Sequence, residues 1–314
     1  MASLHSIEED RNLPVIDGSH AQAGAIPLAV GTRPLPQGFS KPIPPWLWWN
    51  VLSLDAPAVA GAWALLFARA GGIEVPVATI GALMLAVWLI YLADRLFDGW
   101  RVTDGTELKE RHRFCQRHQM VLCAAAGLGA MAGVWLARYG LDLDDLKAGI
   151  LLGGIVGVYL ICVHLGGDRA ERIFPKEVAV GVIFAAGTTL PVWSQPHGFA
   201  WSEMGAWVLF GALCVLNCVA IECWESPGVV GEGSAIVPWA TGRIGWFAAG
   251  LAALSMAAIF SLRIGHAAGI AIAAAALLTL ALHVMRRRLS NDAIRVLADA
   301  ALLVPALAVL AGQL

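Results

Sequence analysis

From Trp46 to nearly the last residue, long apolar runs alternate with short breaks made of charged residues, Gly, Pro or Trp. Nine runs stand out, at about 46–68, 75–97, 118–137, 148–165, 177–194, 203–223, 244–262, 266–285 and 294–312. Each is close to the roughly 20 residues that carry a helix across a bilayer. An open sheet cannot satisfy its backbone groups in hydrocarbon, so every run is predicted to be helical. The pattern predicts an all-α, polytopic membrane bundle of about nine transmembrane helices. Residues 1–45 break it: they are polar, rich in Pro and Gly, and carry an early acidic cluster of Glu8, Glu9 and Asp10. They contain no apolar core long enough for a signal peptide, and are expected to form a flexible tail ahead of one transmembrane domain at 46–314.

Composition agrees. Of 314 residues, 58% are hydrophobic and only 14% charged, where soluble domains carry about a quarter charged residues, so a soluble catalytic domain has almost nowhere to fit. The net charge of −2 is spread over several loops and forms no basic stripe for nucleic acid. The six cysteines fall mostly inside apolar runs with no CxxC pair, which suggests small buried hydrophobes rather than a disulfide framework or a zinc site.

Cationic residues gather on alternate loops. Arg101, Lys109, Arg111, Arg113 and Arg117 share one; Arg169, Arg172 and Lys176 the next; Arg243 a third; Arg286, Arg287, Arg288 and Arg295 the last. The other side has only Arg69, Arg138, Lys147 and Arg263. The positive-inside rule then places the N-terminus in the cytoplasm and the chain in an inner, cytoplasmic membrane. Tryptophans mark the span borders, at 46, 48, 49, 100, 193, 201 and 224, as indoles at headgroup depth do. Gly153-Gly154-Ile-Val-Gly157 and the Ala-rich seventh and eighth spans would permit close helix approach.

The informative stretches are the charged ends of spans two and six. Span two closes on Tyr91-Leu-Ala-Asp94-Arg95-Leu-Phe-Asp98-Gly-Trp-Arg101. Asp94 and Asp98 are four apart and share one helix face. Like charges at that spacing repel and are costly in a membrane, so a cation is expected between them. Arg95 and Arg101 are one choice; a divalent ion held through oxygen together with substrate phosphates is the other. Span six ends on Asn217-Cys-Val-Ala-Ile-Glu222-Cys-Trp-Glu225, at the same membrane face. The loop after it, Ser226-Pro-Gly-Val-Val-Gly-Glu-Gly-Ser234, either folds over a ligand or is loose. Lys176 and Glu177 follow Pro175 at the start of span five, where Lys176 either faces an anion or is one more inside cation.

Asp94-Arg95-Leu-Phe-Asp98 resembles the core of the first aspartate-rich motif, NxxxDxxxD, of UbiA-type intramembrane prenyltransferases, which ends their second helix. The nine-span plan, the acidic motif closing helix six and the lysine opening helix five are similar too. The resemblance implies that Asp94, Asp98, Glu222 and Glu225 hold Mg²⁺, with Asn217 completing the catalytic set. It further implies that Arg95, Arg101 and Lys176 neutralise a prenyl diphosphate. The chain departs from the pattern at Ile90, where the leading Asn would fall, and at Ile221, where the middle acid of the second motif would fall, with Glu222 one place late.

The activity so implied is transfer of a prenyl group from a prenyl diphosphate to an aromatic or lipid-soluble acceptor, in contact with membrane lipids. Mg²⁺ and positive side chains would stabilise the leaving group, and aromatic faces could steady a cation. Asp55 and Asp299 lie within spans and are expected to face the interior, as acceptor-binding or proton-handling groups or as structural partners. His164 and His283 are expected to be satisfied within the bundle. The alternatives are an intramembrane terpene cyclase and a non-enzymatic lipid-binding or transport protein.

Overall fold

The computed structural model describes residues 44–101, 110–173, 175–195, 201–225, 236–261 and 265–312; within these, the side chains of 98–101, 110–113, 160, 163–173 and 201–202 lie outside the described part. The expected N-terminal tail, the loop 226–234 and His164 therefore fall outside it. After a 3₁₀ turn at Pro45–Leu47 the chain forms α1 (Trp48–Val51), α2 (Asp55–Ala70), α3 (Val77–Arg101), α4 (Glu110–Arg117), α5 (Gln119–Tyr139) and α6 (Leu143–Ile173). Then follow α7 (Lys176–Trp193), α8 (Trp201–Glu225), α9 (Ile236–Ala240), α10 (Ile244–Ser261), α11 (His266–Met285), a second 3₁₀ turn at Arg286–Arg288, and α12 (Asn291–Gly312). No strand occurs among the described residues.

The long helices fall on the predicted runs. Among the described residues, six are long and apolar enough to cross a membrane (α3, α5, α8, α10, α11 and α12), or seven if the bent pair Pro45–Val51 and Asp55–Ala70 is one span. The first run, expected to be continuous, is broken: its two halves meet at 76°. Ser53 at the break has φ 57°, a left-handed conformation that costs an L-residue about 1–2 kcal/mol. The break leaves carbonyls at Val51 and Leu52 without helical donors, and α3 supplies donors for this turn. Arg95 Nη1 donates to Asn50 O (2.5 Å) and Val51 O (3.0 Å), and Trp88 Nε1 donates to Leu52 O (3.1 Å).

α2, α8, α11 and α12 make the best-buried part of the bundle, with α10 against α8 and α11. The Ala-rich α10 and α11 pack closely, and Ala271, Ala275 and Ala276 are fully buried, as expected where small side chains let backbones approach. Trp63, fully buried on α2, donates through Nε1 to Leu302 O of α12 at 3.0 Å. Thr189, Ser255 and Thr279 return their hydroxyl hydrogens to carbonyls one turn earlier, which keeps them satisfied in an apolar setting. The glycines at helix crossings are not the expected ones. A Cβ on Gly181 would lie 2.7 Å from Val215 N, whereas Gly153, Gly154 and Gly157 face open space. The outward faces of α5 and α6 are apolar, with Met120, Val121, Leu128, Ile150 and Leu151 exposed, as suits a lipid-facing surface.

A candidate site between α2, α3, α7, α8 and α12

Side-chain contacts bring five helix ends to one side of the bundle. Arg95 of α3 reaches the start of α2. Arg295 near the start of α12 pairs with Glu225 at the end of α8, Nη1 lying 3.0 and 3.2 Å from the two carboxylate oxygens. Glu177 at the start of α7 falls within electrostatic reach of Cys218 and Cys223 on α8. Most of the predicted site residues sit at this end.

A cavity of about 30 Å³ opens among these helices, lined by Ala56, Val59, Tyr91, Gly181, Phe184, Cys214, Asn217, Cys218, Asp299 and Leu302. That volume suits a water, for which about 10–15 Å³ is the minimum, and is too small for a prenyl chain. Its polar wall is Tyr91 from α3, Asn217 from α8 and Asp299 from α12. Asp299 lies close to Asp55 and Asn217 and within reach of Arg95. Asp55 is buried at the first turn of α2, where Asn50 Nδ2 donates to Oδ2 at 2.5 Å and the Ala56 N–H to Oδ1 at 2.9 Å. A carboxylate there also meets the positive end of the helix dipole. Asn217 is 6% exposed and its Oδ1 has no hydrogen-bond partner.

Of the residues expected to bind metal, Asp94 is exposed on α3 and Glu222 is half-buried on α8. Glu225, its side chain 4% exposed, is the partner of Arg295. The side chains of Asp98 and Arg101 lie outside the described residues, although the α3 backbone stays helical through both. Among the described residues no three His, Cys, Asp or Glu side chains converge as a metal-holding group. Lys176 is exposed at the first position of α7. His283 is satisfied within the bundle, where Nδ1 accepts from Trp224 Nε1 at 3.2 Å.

Two buried acids were not singled out as site residues from sequence. Glu177 is 4% exposed and neither oxygen meets a donor among the described residues; its place after Pro175 was the only signal. Asp145, 2% exposed at the opposite end, accepts from Thr79 Oγ1 at 2.7 Å and from Ser194 Oγ, tying α6 to α3 and α7. No family model matches the chain, and neither a curated protein nor a solved structure matches it.

Proposed function

We propose that the protein is a UbiA-type intramembrane prenyltransferase that moves a prenyl group from a prenyl diphosphate to an aromatic or lipid-soluble acceptor, with Mg²⁺ as cofactor. One observation carries the proposal. α3 and α8, the two helices whose acidic ends resemble the family's motifs, open onto the same cavity through Tyr91 and Asn217. The finer topology belongs to it as well: nine spans, the broken α1–α2 pair counting as the first, with a cytoplasmic N-terminus. Bound between Asp94, Asp98 and Glu222, Mg²⁺ would neutralise the charge that grows on the departing diphosphate. Lys176 and Arg101 would add positive charge for the same oxygens. The allylic C–O bond breaks with its electrons going to diphosphate, and an acceptor carbon or oxygen captures the prenyl cation and then loses a proton. Arg95 stands just behind, holding the broken helix in place.

The prenyl chain needs more room than the cavity has. α3 packs only lightly on α7, so parting α3 from α7 would open the cavity sideways to lipid. A cyclase fits the same chamber and differs only in what traps the cation. A proton-coupled carrier fits less well, because it needs accessible polar groups on both sides. Here the acids Asp55, Asp299 and Glu177 lie at one end, while Asp145 at the other accepts from Thr79 and Ser194.

Purified protein incubated with Mg²⁺ and labelled prenyl diphosphates of several lengths, with and without aromatic acceptors, tests the proposal. Release of diphosphate with a labelled lipid product is expected. A folded protein that releases none with any donor would count against both enzyme readings.

A further inference from the structure

Arg243, Arg286, Arg287 and Arg288 meet at the end of the bundle where α10 begins and α11 ends. Gly245, in the first turn of α10, lies against His283 in the last turn of α11, where an added Cβ would sit 3.5 Å from the imidazole Cδ2. Arg243 just before α10 and the three arginines just after α11 are therefore neighbours. A 3₁₀ turn has three residues per turn, so Arg286, Arg287 and Arg288 leave it in different directions. Their roles divide accordingly. Arg286 turns back and donates through Nη1 to His283 O at 2.6 Å, closing α11 as cations do at a helix C-terminus. Arg287 and Arg288 are exposed and form no ion pair among the described residues. Arg243 is exposed as well. Its Nη1 donates to Trp239 O at 2.5 Å and its guanidinium lies over the Trp239 ring, 5.5 Å from the centroid, which leaves most of its five donors for another partner.

The acids at this end do not cancel the cluster. Glu225 is paired with Arg295, Asp292 sits in the first turn of α12, where the helix dipole favours a carboxylate, and Glu222 is half-buried on α8. Along α10 and α11 from the arginines, the surface turns apolar. Trp246 is 81% exposed and Val284 74%, and Leu254 and Phe260 continue the exposed face of α10. Trp239, half exposed, stacks on Phe247 with ring centroids 5.2 Å apart, as suits an indole at headgroup depth. Cations at that depth beside bare hydrocarbon-facing side chains match the two ends of one molecule, a phospholipid of net negative charge.

We propose that Arg243, Arg287 and Arg288 bind an anionic phospholipid of the leaflet at this end, its phosphate held by the guanidinium groups and its acyl chains lying along the outer faces of α10 and α11. Guanidinium forks match phosphate oxygens through paired N–H donors. A zwitterionic headgroup carries its own cation and gains less from them. Inorganic phosphate would meet the same arginines but buries no chain, so the surface favours a lipid. None of these residues lines the cavity between α3 and α8, and the site stands whether or not the chain transfers prenyl groups.

Native mass spectrometry of the full-length protein, delipidated in detergent and titrated with phosphatidylglycerol or phosphatidylcholine, tests the site. The first phosphatidylglycerol should bind wild type at least roughly tenfold more tightly than phosphatidylcholine, and Arg287→Gln/Arg288→Gln should weaken it by roughly fivefold per arginine. Adding Arg243→Gln should abolish the preference, while phosphatidylcholine should bind every variant alike. Arg287→Lys/Arg288→Lys, which keeps the charge, should retain much of it. Arg138→Gln, which removes an arginine that lies over Tyr139 at the other end of the bundle, should bind as wild type does. Equal affinity of wild type for the two lipids, a loss in Arg138→Gln matching that of the double variant, or displacement of phosphatidylglycerol by millimolar inorganic phosphate would each overturn the site. The wild-type comparison decides by itself should a variant fail to fold.

Discussion

Replacing Arg95 by methionine is expected to lower thermal stability sharply, even though Arg95 sits in a motif that looks functional. Its Nη1 donates to the Val51 carbonyl released at the break between α1 and α2 and to the Asn50 carbonyl, which also accepts from the Ser53 N–H, in a place where the side chain is 9% exposed. A hydrogen bond from a charged donor contributes about 1.5–3 kcal/mol, so two represent roughly 3–6 kcal/mol. Relief from burying a guanidinium offsets part of that, which leaves a loss of about 3 kcal/mol. At about 2–4 °C per kcal/mol, the unfolding midpoint should fall by roughly 6–12 °C, read by intrinsic tryptophan fluorescence in detergent. Lysine should recover only part of the loss, because a point charge on a flexible stem lacks the guanidinium's fixed donor geometry. Asp94→Asn, exposed on the same turn, should stay within about 0.5 kcal/mol of wild type. A methionine variant melting within about 2 °C of wild type would refute the reasoning, since the freed carbonyls would then need no donor from α3.

Other outcomes follow from the packing. Gly181→Ala places a Cβ 2.7 Å from Val215 N, and because backbone cannot step aside it should cost about 1–3 kcal/mol. Gly153→Ala meets nothing within 4 Å and should be neutral or gain up to about 1 kcal/mol of helix propensity; comparing the two melting points checks both. Arg295→Met removes the guanidinium that lies 3.0 and 3.2 Å from the two Glu225 carboxylate oxygens and should cost about 1.5–3 kcal/mol. Adding Glu225→Leu should recover most of that in the same denaturation experiment, and a double variant no more stable than the single one would contradict the pairing.

How much of this was legible in the sequence depended on whether the cause was local. The long helices were legible, because their apolar runs are local and unbroken. The break in the first run has a local cause in Pro57, which has no N–H to give to the carbonyl of Ser53, so a continuous helix through that point is already disfavoured. What Arg95 does could not be inferred from its neighbours, since the carbonyls it satisfies exist only because the chain bends more than forty residues earlier. Glu177 looked like a first-turn acid after proline; its burial comes from α7 meeting α8 at Gly181 and Val215. Asp145 is enclosed only by Thr79 and Ser194, which come from two other helices far away in sequence. Asp55 and Asp299 were legible from sequence as acids within spans, and Asn217 as part of the acidic end of span six. That they share one end required the helix pairing.

Equilibrium binding of a non-hydrolysable prenyl thiodiphosphate, with and without Mg²⁺, in wild type, Asp94→Asn/Asp98→Asn and Asn217→Leu tests most directly the proposal that α3 and α8 contribute to one diphosphate site. Saturable, Mg²⁺-dependent binding in wild type that is lost in the α3 variant and severely weakened in the folded α8 variant is the expected result. Wild-type binding in either folded variant would contradict it.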